Sequence, residues 1–285
     1  MDDLVAKILS AIIALFLFAS MFSLGLDLTL RQIIEPLRDR WLLARALFAN
    51  VLLVPLLAFL LTRIFALDEA AAIGLLLYAC CPGGEAAPKI AQIARGNTAF
   101  AIALLGTFLP ISVIAVPLLL SELFPDNHVE LGKLIFKLLL VVVLPAVLGL
   151  WIKATREPVA QRLSPGAHRV ATVLMFVMLA GLIYTNFGLL REQKFVAIAA
   201  GVVFFPLAFA IGRLFGGPMP GNARALGIMS AVRNGALSLL FATQIFVQTP
   251  AVLVMVTMMA VLSAAIMIPL GILLERRPIT AGARV

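Results

Sequence analysis

Apolar residues run along this 285-residue chain in long stretches that are separated by short polar or charged links. Each stretch is close to the roughly 20 residues that a helix needs to cross a bilayer. Links such as Leu67-Asp68-Glu69 are short, so consecutive helices must run antiparallel. The pattern therefore predicts an all-α integral membrane protein with nine crossings, to within a few residues at 4–27, 41–65, 70–95, 97–122, 130–154, 167–190, 194–216, 222–246 and 250–274.

Composition agrees with a membrane protein. Hydrophobic residues make up 63% of the chain and charged residues 13%, whereas about a quarter of the residues of a soluble domain are charged. Nine crossings leave no room for a soluble domain, so residues 1–285 are expected to form one transmembrane domain. The first apolar stretch is too long for a signal-peptide core and lacks a basic start, which favours a retained helix.

The residue types that enzymes and metal centres need are scarce. Cys80 and Cys81 are neighbours in an apolar run, which gives neither a disulfide framework nor a zinc-binding spacing. His128 and His168 are expected in loops, and no paired carboxylates are found. The sequence therefore predicts no catalytic residue, no metal site and no cofactor.

Basic residues are distributed unevenly between the two sides of the predicted bundle. Five lie on the side of the N-terminus, namely Lys7, Arg63, Lys133, Arg191 and Lys194. Fourteen lie on the other side, namely Arg31, Arg38, Arg40, Arg45, Arg95, Lys153, Arg156, Arg162, Arg169, Arg213, Arg224, Arg276, Arg277 and Arg284. By the positive-inside rule, the N-terminus faces out and the C-terminus lies in the cytoplasm of a bacterial inner-membrane protein. The net charge of +8 thus reflects orientation rather than nucleic-acid binding.

Ionisable residues inside the predicted helices are few. Lys137 lies near a helix end, from which its side chain can reach the interface. Glu85, Lys89 and Arg233 lie deeper, where a single charge costs about 2.5–3.5 kcal/mol even on the lenient insertion scale. These three residues are therefore expected to have partners or a function.

Two of the nine helices contain a break. In the third, Cys80-Cys81-Pro82-Gly83-Gly84 is followed by Glu85-Ala86-Ala87-Pro88-Lys89, which predicts an unwound link and a second half-helix with Pro88 in its first turn. If helical pitch holds from Glu85, its spacing to Lys89 places both on one face. In the eighth, a second break is predicted within Met229-Ser230-Ala231-Val232-Arg233-Asn234-Gly235.

One break in each half of the chain is typical of an inverted-repeat transporter, in which the broken helices cross near the midplane. Their half-helix N-termini, with Lys89 and Arg233, are expected to make a cavity that attracts an anion. The alternative is that Glu85 only neutralises Lys89 or Arg233, and that the glycines serve close helix packing.

These residues also support a resemblance to the bile acid:sodium symporter family. The most specific match is Cys80-Cys81-Pro82-Gly83-Gly84 followed by Ala94-Arg95-Gly96-Asn97; supporting matches are Met21-Phe22-Ser23-Leu24-Gly25-Leu26 and Asn234. The chain resembles a nine-helix bacterial member. The resemblance implies a panel of helices 1, 5 and 6 (about 4–27 and 130–190) and a core of the others (about 41–122 and 194–274), with the broken helices crossing in the core.

The chain departs from the family where sodium-coupled members carry their ligands. The resemblance implies hydroxyl, amide and carboxylate ligands at positions that hold Ala87, Pro88, Ala101, Leu105, Met229 and Arg233 in this sequence. Of the implied side-chain ligands, only Asn50 retains an oxygen that could serve. Lys89 and Arg233 are therefore predicted to place fixed positive charge where relatives bind sodium.

The predicted function is secondary transport of a small organic anion by alternating access, without sodium coupling and with a proton as the possible coupling ion. The candidate substrate-binding or coupling residues are Asn50, Gly84, Glu85, Lys89, Ser230, Arg233, Asn234 and Gly235. The alternatives are a sodium-coupled organic anion or bile acid symporter, an arsenite-type efflux carrier that uses Cys80 or Cys81, and a sensor that does not transport. The expected partners are the substrate and the lipid bilayer; the sequence does not determine the oligomeric state.

Overall fold

The computed structural model of the protein describes residues 3–34, 39–123, 131–185, 187–188, 195–246 and 249–276. Within these ranges the regular structure is entirely helical, as the hydrophobic pattern predicts. His128 lies outside the described residues, as do Arg38, Arg191, Lys194, Arg277 and Arg284, on which part of the predicted orientation depends. The expected loop position of His128 therefore stays a prediction.

Nine successive membrane crossings are present within the described residues. Eight helices are long and apolar enough to span a bilayer, and the third crossing is divided into a shorter apolar helix and a half-helix. In order, the crossings are Asp3–Asp27, Arg40–Ile64, Glu69–Cys80 with Ala87–Ile93, Thr98–Leu123, Leu131–Thr155, Glu157–Thr185, Phe195–Phe215, Pro220–Ala231 with Gly235–Ile245, and Pro250–Glu275. The chain is thus a multi-pass membrane protein; we call these crossings the first to the ninth helix.

The sixth helix is longer than predicted. It begins at Glu157 rather than near residue 167, so His168 lies in a helix and not in a loop as expected. The apolar pattern missed this part because it is polar and extends beyond the apolar stretch. It is held to the end of the first helix by hydrogen bonds from Ser164 and His168 to the carboxylate of Asp27, at 2.6 Å each.

The first helix packs against the fifth and sixth helices. Its contact with the fifth is so close that a Cβ atom on Gly25 would lie 2.2 Å from the carbonyl oxygen of Ala146, and one on Gly149 would lie 2.4 Å from that of Phe22. Small residues at a helix crossing permit this approach in membranes. We call the first, fifth and sixth helices the panel helices.

The remaining six helices, of which four pack around the two divided ones, are called the core helices. The eighth is the most deeply buried of the long crossings. The segment between the third and fourth helices, which contains Arg95, Gly96 and Asn97, joins it to the eighth: Asn97 N–H donates to Gly221 O at 2.9 Å, and its amide donates to Asn222 Oδ1 at 2.8 Å. This connection fixes one end of both broken helices.

Because consecutive helices alternate in direction, the two faces of the bundle can be named by residues. The first, third, fifth, seventh and ninth helices begin at one face, which includes Lys7, Glu69 and Gly132 and is called the N-terminal face. The opposite face includes Asp27, Arg95 and Gly166. The broken segments lie between the two faces.

Candidate functional site

The two broken segments meet and bond to each other. Residues 81–86 separate the halves of the third helix, and residues 232–234 separate those of the eighth. Gly84 N–H donates to Val232 O at 3.2 Å, and Asn234 N–H donates to Cys81 O at 2.8 Å. These bonds satisfy backbone groups that a continuous helix would have paired, which a bilayer interior requires.

Gly84 allows this close crossing. A Cβ atom at this position would lie 2.5 Å from Arg233 O and 2.7 Å from Val232 O, both backbone atoms that cannot move aside. Only glycine lets another backbone approach so closely. Gly235 faces the ninth helix, where an added Cβ would be 3.3 Å from Ala260 Cβ.

The second half of each broken helix begins close to the predicted break. In the third helix it begins at Ala87, with Pro88 in the first turn. In the eighth it begins at Gly235, and the side-chain oxygen of Asn234 accepts a hydrogen bond from Leu237 N–H at 2.9 Å. The amide nitrogen of Asn234 is buried and has no partner within the described residues, so it remains available as a donor.

Arg233 lies at the centre of the crossing and is 2% exposed. Its guanidinium group donates to Asn50 Oδ1 at 2.8 Å, to Asn50 O at 2.9 Å, and to Ala79 O. The amide of Asn50 in turn donates to Ser230 Oγ at 3.0 Å and to Ala46 O at 2.9 Å. The structure thus brings together three of the candidate residues, Asn50, Ser230 and Arg233, in one buried network.

The second helix presents Asn50 in a π-helical segment, Phe48–Leu53. There Val54 N–H donates to Ala49 O rather than to Asn50 O, and the next residue, Pro55, has no N–H. The carbonyl oxygen of Asn50 therefore has neither of these helical donors, and Arg233 supplies one instead. Single π-helical turns of this kind are frequent at functional sites.

A cavity of about 410 Å³ lies beside the crossing. Its walls are mainly apolar side chains from the sixth, eighth and ninth helices and Phe16 of the first, with polar groups from Tyr78, Glu85, Arg233, Asn234 and Ser263. Its lining residues on the third and ninth helices, such as Ile90 and Ile268, lie toward the opposite face. Its volume is within the usual range for small-molecule sites. Its lining, mainly apolar with a few polar groups, is also typical of such sites.

Glu85 lies in the cavity wall and bonds across the boundary between panel and core. One carboxylate oxygen accepts a hydrogen bond from Ser20 Oγ of the first helix. The other oxygen is buried and has no partner within the described residues. Within the described residues no ion pair joins Glu85 to Lys89 or Arg233, so the neutralising pair that was the alternative to a binding site is not formed.

Lys89 does not lie where the sequence placed it. It is exposed and does not line the cavity, whereas Arg233 is buried at the crossing. Glu85 precedes the half-helix, which begins at Ala87, so helical pitch does not hold between the two residues and the predicted shared face is absent. Residues four apart share a face only within a continuous helix, and Glu85 lies in the unwound link before it.

Sequence reasoning missed Ser20, Tyr78 and Ser263, which contact Glu85 or line the cavity. Each is a single polar residue in an apolar run, and no spacing rule distinguishes it from a hydroxyl that bonds its own helix. Cys80 and Cys81 are buried and do not line the cavity. Among the described residues, no group of three His, Cys, Asp or Glu side chains could hold a metal ion.

The family model described as "Sodium Bile acid symporter family" matches residues 14–187, more than half of the chain. The chain belongs to this family. The family description and the names of the relatives are those of transporters and not of enzymes.

Individual relatives are distant. The chain is 28% identical to "Probable sodium/metabolite cotransporter BASS1, chloroplastic" of Arabidopsis thaliana, over 80% of this chain and 58% of that protein. It is 26% identical to "Uncharacterized sodium-dependent transporter YocS" of Bacillus subtilis, over 84% of this chain and 75% of that protein. It is 20% identical to the human "Ileal sodium/bile acid cotransporter", over 76% and 65%. The chain therefore spans little more than half of the chloroplast protein.

Proposed function

We propose that this protein is a secondary transporter that carries a small organic anion by alternating access and does not require sodium. The observation that carries the proposal is the position of Arg233. Its guanidinium group is surrounded by oxygen atoms of Asn50 and Ala79 at the crossing of the broken helices. Unwound carbonyls at such a crossing are the groups that coordinate sodium in transporters with broken helices.

The side chains at the crossing favour the fixed charge of Arg233 over a bound sodium ion. Sodium needs several oxygen ligands, but the implied ligand positions hold Ala101, Leu105 and Met229, which are fully buried and have no side-chain oxygen. Asn50 keeps its oxygen, yet that atom accepts from Arg233. A sodium ion at this place would also be repelled by the guanidinium charge.

The same charge supports an anionic substrate. Arg233 has no carboxylate partner within the described residues, and its Nε is buried without a hydrogen bond. Gly235 and Ala236, which begin the second half of the eighth helix, line the cavity next to it. A helix N-terminus carries partial positive charge and free N–H groups, so an anion in this cavity would balance the buried cation.

Glu85 supports a proton as the coupling ion. Its unpaired carboxylate oxygen is buried at mid-membrane, where protonation removes an uncompensated negative charge. Its bond to Ser20 joins a core helix to a panel helix, the two groups that move relative to each other in alternating access. Loading and release of a proton at this position would therefore accompany the change of conformation.

The test is uptake by the reconstituted protein in vesicles with and without sodium. The probes are radiolabelled small carboxylates and sulfonates together with taurocholate, because the ileal relatives are bile acid cotransporters by name. We expect uptake of the transported probe to be equal in sodium chloride and in choline chloride. Strict dependence on sodium would support the sodium-coupled alternative. Binding of a probe without any flux would support the non-transporting alternative.

A further inference from the structure

A second polar network joins the panel helices to the core helices outside the cavity. Lys137 Nζ, on the fifth helix, donates to Gln244 Oε1 on the eighth helix at 2.6 Å. Gln244 Nε2 donates to Ser10 Oγ on the first helix at 3.2 Å. All three residues are half-buried, and one glutamine thus connects two of the three panel helices, the first and the fifth, to a broken helix of the core.

This network lies on the N-terminal side of the cavity. Ser10 precedes the cavity-lining Phe16 by six residues, about 9 Å along a helix, toward the N-terminal face. Gln244 follows the cavity-lining Leu239 by five residues in the same direction, because the eighth helix runs toward that face. The first helix and the second half of the eighth also pack directly on each other. The cavity extends from this contact between the first and eighth helices toward the opposite face.

The hydrogen bond from Lys137 has a charged donor, the ammonium group, and this side chain is half-buried. Lys137 has no carboxylate partner within the described residues, so its hydrogen bond to Gln244 is the contact that holds the ammonium group here. Gln244 suits this place because one amide both accepts and donates, which neither a carboxylate nor an ammonium group can do. The sequence predicts that Lys137 reaches the interface; in the structure its ammonium group bonds to Gln244, close to the end of the eighth helix.

We propose that Ser10, Lys137 and Gln244 form a latch that closes the cavity toward the N-terminal face and must open before the cavity can face that side. This inference rests on the alternating access proposed above. When the panel and core helices separate at this face, the bonds through Gln244 break and the three groups become hydrated. The latch therefore stabilises the conformation described here over the one that faces the other way.

The test measures access to the cavity and needs neither a substrate nor a coupling ion. A reporter cysteine is introduced by Ala260→Cys, at a half-buried residue that lines the cavity. Oriented vesicles are treated with a membrane-impermeant maleimide at the N-terminal face. Cys80 and Cys81 are buried away from the cavity lining, and the protein without the reporter gives their background.

We expect Gln244→Leu to raise the rate of modification from the N-terminal face about tenfold, the equivalent of one hydrogen bond to a charged group. Lys137→Met is expected to give a similar rise, the double variant no more than an additive change, and Lys137→Arg little change. The matched control is Gln161→Leu, an exposed glutamine on a panel helix whose described bond is to Glu157 of the same helix.

Unchanged modification in both Gln244→Leu and Lys137→Met would overturn the latch. If either variant does not fold, Ser10→Ala removes one oxygen atom at little structural cost and must still raise the rate. An absence of sodium-independent uptake together with increased access would leave the latch supported and contradict the proposed function instead. The two proposals can therefore fail separately.

Discussion

Arg233 and Lys89, two cations that the sequence predicts in one site, lie in different environments. Arg233 is buried and donates to three oxygen atoms of the second and third helices, whereas Lys89 is exposed outside the cavity lining. The planar guanidinium group has enough donors to bond several fixed carbonyls at once, which an ammonium group on a flexible stem does less well. The proposed anion site therefore rests on Arg233 and not on Lys89.

Replacing Arg233 by glutamine tests this assignment. We expect Arg233→Gln to weaken binding of the transported anion about tenfold or more, since a hydrogen bond to a charged group contributes about 1.5–3 kcal/mol. Lys89→Gln is the matched control, because it removes the same charge from an exposed position, and we expect less than a threefold effect. Equal losses in the two variants, measured by calorimetry, would contradict the assignment.

Glu85 is the second residue with a proposed role, which rests on its unpaired carboxylate oxygen. We expect uptake by the wild-type protein to be stimulated by a proton gradient, and Glu85→Gln to abolish this stimulation while exchange of substrate across the membrane continues. The matched control is Glu275→Gln, an exposed carboxylate whose ion pair with Arg95 spans 3.4 Å. A variant at position 85 that still responds fully to the gradient would rule out the proton carrier.

At the scale of elements, the π-helical segment of the second helix and the break in the eighth helix depend on each other. Pro55 offers no N–H to Asn50 O, and Arg233 donates to that oxygen instead. A continuous α-helix at this position would pair the same carbonyl internally and leave the guanidinium group one acceptor short. An irregular element in one helix thus satisfies a polar group of another.

A double-mutant cycle can measure this dependence. Pro55→Ala restores an N–H that competes for Asn50 O, so we expect it to couple with Arg233→Gln by about 0.5–1.5 kcal/mol in the free energy of unfolding. The control cycle uses Pro145→Ala, since Pro145 follows the second π-helical segment, Leu139–Val143, in the fifth helix. Additive effects in the Pro55 cycle, measured by detergent denaturation, would show that the two elements are independent.

The orientation of the protein in the membrane decides on which side the cavity lies. The excess of basic residues predicts that the opposite face, toward which the cavity extends, is cytoplasmic. Several of those residues, such as Arg277 and Arg284, lie outside the described part of the chain. The orientation therefore remains a prediction of the charge distribution.

Cysteines at two exposed glycines test the orientation. Gly132 is at the N-terminal face and Gly166 at the opposite face, and an added Cβ atom meets nothing within 4 Å at either position. In intact bacterial cells, we expect an impermeant maleimide to label Gly132→Cys, and to label Gly166→Cys only after the cells are opened. The reverse pattern would place the cavity on the outer side.

The fold was predictable to a large extent, and the site only in part. Apolar stretches located the nine crossings because a bilayer demands about 20 apolar residues from each. The breaks at Gly84 and Asn234 were visible because proline, glycine and charge interrupt such a stretch. The start of the sixth helix at Glu157 was not, since a polar helix that leaves the membrane has no apolar signal.

The amino-acid pattern alone identifies a nine-crossing membrane protein of a transporter family, with two broken helices and three ionisable residues within its apolar stretches. What those residues contact follows only from how the helices pack. Arg233 meets Asn50, and Glu85 meets Ser20, across long separations in the chain. Such contacts depend on the rotation and depth of each helix, which small residues such as Gly84 set through packing. The periodicity of one helix contains no information about the orientation of its neighbour.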